Sequence, residues 1–242
     1  MPRGHWDWGV NPGPVILAPE FSGAELAMRL GAIPSIDRLG EVIVADSFEH
    51  GLATYSTQAL GTGGSVTLSA ARSRSGRYSA LLTAGSAGFL TASISRALSF
   101  QGLGRHGFEF AFALASLYQQ LRIEIERYTG TQQHLWAVRI DENTDTIQVL
   151  QSDGTYATVA TIITPLIDSR VFHSAKLVVD LGTRSYVRFR LAAATYDLTA
   201  YSAQVSNNTS QPLFRNRLVL LGRAGFNDQM YTDDWIHTHQ EP

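Results

Sequence analysis

From about residue 42 the apolar positions of this chain recur every second residue. "GFEFAFALA" sets Phe108, Phe110, Phe112 and Leu114 against Glu109, Ala111 and Ala113. "LRIEIERY" sets Leu121, Ile123 and Ile125 against Arg122, Glu124 and Glu126, and "SYVRFRLA" sets Val187, Phe189 and Leu191 against Arg188 and Arg190. A period of two predicts strands with one face in a core and the other toward solvent. Turn-forming clusters separate the runs: "GTGG" at 61–64, "SRSGR" at 73–77, "DENTD" at 141–145, "SDG" at 152–154 and "DLGTR" at 180–184. Many strands with almost no helical periodicity predict an all-β fold, a two-sheet antiparallel sandwich.

Residues 1–41 read differently. "VNPGPVILAPEF" carries Pro12, Pro14 and Pro19, which favour an extended path. Ser22 and Glu25 have capping-box spacing and Gly31 is a stop, so one short helix is expected over roughly 23–30. The segment reads as an N-terminal arm, with Trp6, Trp8 and Phe21 as its docking side chains, ahead of a sandwich domain over 42–242. It lacks the charged start and apolar run of a secretory signal.

Of the 242 residues 44% are hydrophobic and 17% charged, enough apolar material for a packed core. The net charge of -2 lacks the basic footprint of a nucleic-acid binder. Lys176 is the only lysine, so arginine supplies nearly all the positive charge. There is no cysteine, which excludes disulfides, thiolate metal sites and cysteine nucleophiles.

The chemical motifs are incomplete. "DENTDT" begins like a calcium-binding loop, but Thr146 and Ser152 stand where a glycine and a bidentate glutamate are needed. A hairpin turn is expected there. "GTGGS" has no following lysine and reads as a turn. The sequons at Asn207 and Asn208 mark a polar loop. No G-x-S-x-G elbow is present. Glu124 and Glu126 share a strand face, as the acid pair of a glycosidase would, but "RIEIERY" lacks a third acid and reads as an outward face beside Arg122 and Arg127. In "MYTDDWIHTH", uninterrupted strand alternation sets Tyr231, Asp233, Trp235, His237 and His239 on one face. His237 and His239 could ligate zinc, although a polar terminal strand is the simpler reading.

Three stretches carry a resemblance. "ADSFEHGLATYS" at 45–56 with "ARSRSGRYSALLTAG" at 71–85, "FHSAKLVVDLGTRSYVRFRLAAATYDL" at 172–198, and "YTDDWI" at 231–236 together resemble jelly-roll domains of the concanavalin A-like/laminin-G and carbohydrate-binding-module type. The resemblance covers about 45–238 and excludes the arm. It implies a jelly-roll sandwich and, by position, a structural calcium between Glu49 of the first strand and Asp233 or Asp234 of the last. Carbohydrate binding would use aromatic platforms, for which Tyr118, Tyr128, Trp136 and Tyr156 are the candidates. Fold similarity does not convey function. With no coherent catalytic set, the expectation is a non-enzymatic structural protein of a homo-oligomeric or larger assembly, such as a phage virion component in the capsid or tail. The alternative is a glycan-binding module. Neither reading involves nucleic acid or membrane insertion.

Overall fold

The computed structural model describes residues 37, 39–88, 90–98, 102–163 and 165–242. The expected arm helix over 23–30 and the arm side chains Trp6, Trp8 and Phe21 lie outside the described residues. Among the described residues there are sixteen strands and no helix, hence none long and apolar enough to cross a membrane.

The strands form two antiparallel sheets, each of eight strands. Sheet A runs β13 (Ala194–Asp197), β12 (Ser185–Leu191), β11 (His173–Asp180), β6 (Arg105–Leu114), β16 (Gln229–His239), β4 (Ser79–Thr83) and β3 (Ser65–Ser69), with β1 (Glu41–Asp46) also paired to β16. Sheet B runs β10 (Tyr156–Thr161), β9 (Thr146–Leu150), β8 (Gln132–Asp141), β7 (Gln120–Tyr128), β15 (Leu213–Leu221), β5 (Thr91–Leu98) and β2 (Ser56–Leu60), with β14 (Gln204–Asn207) also paired to β8. This is a jelly-roll β-sandwich. The expected turns all fall between strands. "DENTD" closes the β8–β9 hairpin, with Asp145 at φ 50°, and "DLGTR" closes β11–β12, where Asp180 Oδ1 accepts the N–H of Gly182 and of Thr183.

The core lies between the sheets. Phe108, Phe110 and Phe112 of β6, Phe189 of β12 and Met230 of β16 meet Ile94 of β5, Leu121, Ile123 and Ile125 of β7, Trp136 and Val138 of β8 and Leu218 of β15. Each of these large apolar side chains contributes about 1.5–3 kcal/mol by leaving water. Lys176, the one lysine, is fully buried on the outer side of sheet A. Its ammonium pairs with Glu241 at 2.7 Å and Asp37 at 3.5 Å and donates to the carbonyls of Asp37 and Leu39, so it ties the chain's last residues to the segment entering the sandwich.

Two irregularities change which side chains face inward. The β11–β12 register shifts between Val178 and Val179, so Tyr186, rather than the expected Val187, enters the core. The Tyr186 hydroxyl accepts the Ala137 N–H at 2.9 Å and donates to the Leu150 carbonyl at 2.7 Å, bridging from sheet A to sheet B. The second irregularity is in β16, between Asp233 and Ile236, where Asp234 has φ 49°. A bulge of this kind reverses the facing of every residue beyond it. Tyr231 and Asp233 therefore lie on the outer side of sheet A, whereas Trp235, His237 and His239 turn inward. The single face expected for all five does not exist. The bulge is also where β16 changes neighbour: residues 229–232 pair with β4 and residues 235–239 with β1.

Removing the bridging hydroxyl leaves buried backbone groups unsatisfied, at about 1–3 kcal/mol. Tyr186→Phe should lower the unfolding free energy in a denaturant titration by that amount. An unchanged midpoint would mean the bridge contributes nothing to stability.

Candidate functional site

The outer face of sheet B concentrates the polar side chains. On β7, Leu121, Ile123 and Ile125 point into the core, and alternation sends Arg122, Glu124, Glu126 and Tyr128 to the other side. The β7–β15 register sets Arg217 opposite Glu124 and Arg215 opposite Glu126. Opposite charges directly across an antiparallel pair stabilise the register. Beyond β15 come Ser93 and Ser95 of β5, then Ser56 and Gln58 of β2. On the other flank β8 contributes Gln133, Ala137 and Arg139, and β9 contributes Gln148.

The face has two layers. Glu124 and Glu126 are 5% and 2% exposed although they point outward, and the arginine side chains above them are 27–36% exposed. Glu126 Oε2 accepts from the Arg215 guanidinium at 2.5 Å, the Tyr128 hydroxyl at 2.5 Å and the Gln133 amide at 3.0 Å. Glu124 lies 3.5 Å from Arg122 and 3.6 Å from Arg217. Burial nonetheless holds the Glu124 carboxyl above its ordinary range, against the pull of those arginines. Burial and the bond to Glu126 push the Tyr128 hydroxyl up to about 12, so it stays protonated as a donor. Between β2, β5 and β15 the face opens into a depression of about 150 Å³ lined by Ser56, Thr57, Gln58, Ser93, Ser95, Arg215 and Arg217.

The expected aromatic platforms fare unequally. Trp136 and Tyr118 are 0% and 1% exposed and belong to the core; Trp136 falls on the inward phase of β8, between Leu135 and Ala137. They are not platforms. Tyr128 and Tyr156 do lie on the outer face of sheet B, but Tyr128 is mostly covered and the ring of Tyr156 carries the Arg139 guanidinium at 3.9 Å. The residues that line the depression were not singled out from sequence. The signal was present: "LFRNRLVLL" alternates Arg215 and Arg217 outward with the same period as "RIEIERY".

The acids Glu49, Asp233 and Asp234 all grip the β3–β4 loop. Arg77 and Tyr78 N–H groups donate to Glu49 Oε1 at 2.6 and 2.8 Å. Arg74 and Ser75 N–H groups donate to Asp233 Oδ2 at 2.7 and 3.2 Å. The Ser75 hydroxyl and the Arg74 guanidinium donate to Asp234. Gly76, at φ 60°, lets the loop turn there, and a Cβ would run into the Glu49 carboxylate. These carboxylates thus fill the gap that the β16 bulge opens between β1 and β4. Among the described residues no three His, Asp or Glu side chains converge as a metal-holding group. The three acids named for the implied calcium have donors of the β3–β4 loop as their hydrogen-bond partners. Burial first, then the neighbouring Asp234 charge, pushes Asp233 up to about 7.

His237, turned inward by the bulge, lies 3.1 Å from the His106 imidazole and 3.1 Å from the Asn216 amide. Burial pushes it down to about 3, so it stays a neutral imidazole in the core.

No family model matches the chain, and no curated protein matches it. Solved structures do. The endo-β-1,4-glucuronan lyase of the fungus Trichoderma reesei superposes with a TM-score of 0.53 at 12% identity, over 78% of this chain and 95% of that one. The β-glucanase of Bacillus licheniformis superposes with a TM-score of 0.50 at 11% identity, over 83% of this chain and 99% of that one. A sialidase matches with a TM-score of 0.51 at 6% identity, over 84% of this chain but 19% of its own length. At such identities the likeness establishes the sandwich fold.

A carboxyl whose pKa is raised on folding stabilises the fold below its unfolded value, near 4, and loses that contribution as pH rises through its folded value. Asp233→Asn removes this titration and also one acceptor, the second at a cost independent of pH. The melting temperature of the variant relative to the parent should therefore rise between pH 5 and pH 8. A difference that stays flat across that range would contradict the buried, protonatable Asp233.

Proposed function

We propose that this protein binds a glycan on the outer face of sheet B. The observation that carries the reading is the depression between β2, β5 and β15. Its walls hold serine and threonine hydroxyls, an amide and two guanidiniums, the groups that hydrogen-bond sugar hydroxyls and fix their orientation. The adjoining Glu124, Glu126, Tyr128 and Gln133 hold the arginines in place, so the donors are set before a ligand arrives. The structural neighbours named as a glucuronan lyase and a β-glucanase act, by those names, on polysaccharides, which supports seeking the ligand among glycans. The assembly reading, a virion component, gains no such support: its arm lies outside the described residues.

Glycan cleavage is a second reading, favoured by one observation. Glu124 is a buried carboxyl with a raised pKa, two residues from Glu126 and beside the depression. That is the raw material of a general acid.

On a glycan array the protein should retain at least one class of glycan. Arg215→Ala combined with Arg217→Ala should lower that binding by at least about tenfold, the loss of one or two charge-assisted hydrogen bonds. Binding that survives the double substitution would place the ligand elsewhere, and an array with no retained glycan would end the proposal. The cleavage reading requires new reducing or unsaturated ends on prolonged incubation with the retained glycan, abolished in Glu124→Gln.

A further inference from the structure

The glycan reading leaves the class of sugar open, and the charges on this face narrow it. The strands of the outer face carry four arginines, Arg122, Arg139, Arg215 and Arg217, against three carboxylates, Glu124, Glu126 and Asp141. One positive charge is left without a counterpart. No acidic side chain lines the depression, while two of the guanidiniums do. Arg122 and Arg217 share the single carboxylate of Glu124, and of these two Arg217 lines the depression.

The arginines there are not used to capacity. A guanidinium has five N–H donors. The Nε of Arg215 is buried and has no hydrogen-bond partner. Arg217 spends its donors on long contacts: 3.3 Å to the Ser93 hydroxyl, 3.5 Å to the Gln58 amide oxygen and 3.6 Å to Glu124. By contrast Arg139 is committed to Gln148 at 2.6 Å and to the Tyr156 ring. The Arg215 Nε is covered by protein, so the weakly engaged, partly desolvated donors of Arg217 are the ones that fit a planar anion accepting in pairs.

The aromatic surface points the same way. A neutral sugar ring is commonly held by stacking on a broad aromatic face, and here Tyr128 is covered and Tyr156 is occupied by Arg139. The depression equals about five water volumes at about 30 Å³ each. That accommodates one carboxylate and part of its ring, with Ser56, Ser93 and Ser95 positioned for the ring hydroxyls.

From these observations, and resting on the glycan reading above, we infer that the depression is a subsite for the carboxylate of a uronic acid, with Arg217 and Arg215 as its ligands. The preferred glycan is then a polyuronate rather than a neutral polysaccharide. The uronate carboxylate displaces the weak Arg217 contacts to Gln58 and Ser93 and supplies the missing counter-charge.

The 242-residue chain is titrated calorimetrically with oligosaccharides of matched length: a polyuronate, the same polyuronate with its carboxyl groups reduced to alcohols, a neutral β-glucan fragment, and a sulfated glucan. The polyuronate should bind at least about tenfold more tightly than its reduced form and the neutral fragment, and its affinity should fall with added salt. Gln58→Glu places a negative charge in the depression on an exposed edge-strand position. It should weaken polyuronate binding at least about tenfold, and by a larger factor than it weakens binding of the reduced form. Equal binding of polyuronate and reduced form overturns the carboxylate subsite while the glycan reading stands. Equal or tighter binding of the sulfated glucan overturns it as well, because the attraction is then for any polyanion. No binding of any of the four overturns both. If Arg217→Gln, folded by its melting curve, binds polyuronate as tightly as the parent, the assignment of Arg217 is wrong.

Discussion

Glu124 and Glu126 are buried on the outside of a sheet, and this is sustainable only because arginines lie against them. A carboxylate removed from water costs several kcal/mol unless a partner and hydrogen bonds replace its hydration. Three donors converge on one oxygen of Glu126, and two guanidiniums flank Glu124. The register between β7 and β15 follows from the same need, since a slip of one residue would set one carboxylate against Asn216 and the other against Leu218 or Phe214, with no arginine opposite either. Removing one partner of such a pair costs about 3–5 kcal/mol when both are dry. The arginine heads here are about a third exposed, which reduces that figure. The consequence for function is rigidity. Arg215 and Arg217 are held at the rim of the depression by charges beneath them, so their remaining donors are presented in fixed directions.

The opposite sheet solves a different problem by a different device. Strand β16 must pair with β6 along one side and with both β4 and β1 along the other. It changes neighbour at the bulge of Asp233 and Asp234; the Asp233 carboxylate accepts the N–H groups of Arg74, Ser75 and Asp234, and the Asp234 carboxylate accepts from the Ser75 hydroxyl and the Arg74 guanidinium. The bulge also turns Trp235 inward against Phe48, Tyr55 and Phe108. The stretch with the densest chemistry in the sequence is thereby divided between a loop clamp and the core.

What was legible in the sequence was local. The period of two in "GFEFAFALA" and "LRIEIERY", and the turns at 141–145 and 180–184, depend on neighbours a few residues away, and they match the sandwich. Two features were not legible for physical reasons. A bulge leaves no mark in alternation, so the inward turn of His237 and the outward turn of Asp233 needed the backbone geometry at Asp234. The burial of Glu124 and Glu126 depends on Arg215 and Arg217, about 90 residues away in the chain, brought beside them by strand pairing. An E-x-E strand read alone is a solvated face; read with R-x-R across from it, it is a buried layer of carboxylates under paired arginines. Aromatic residues were poor guides for a related reason. Trp136 and Tyr118 stabilise the core as readily as they could bind a sugar, and one residue of phase decides which.

On the proposal above, the arginine layer over Glu124 and Glu126 is a ligand surface rather than a set of structural ion pairs. A crystal structure of the protein with a short oligouronate tests it most directly. The expected result is a sugar carboxylate within hydrogen-bonding distance of the Arg217 and Arg215 guanidiniums, above Ser93 and Ser95, with Glu126 still bonded to Arg215. A ligand bound on sheet A or on the loops, with the depression between β2, β5 and β15 filled only by water, would contradict it.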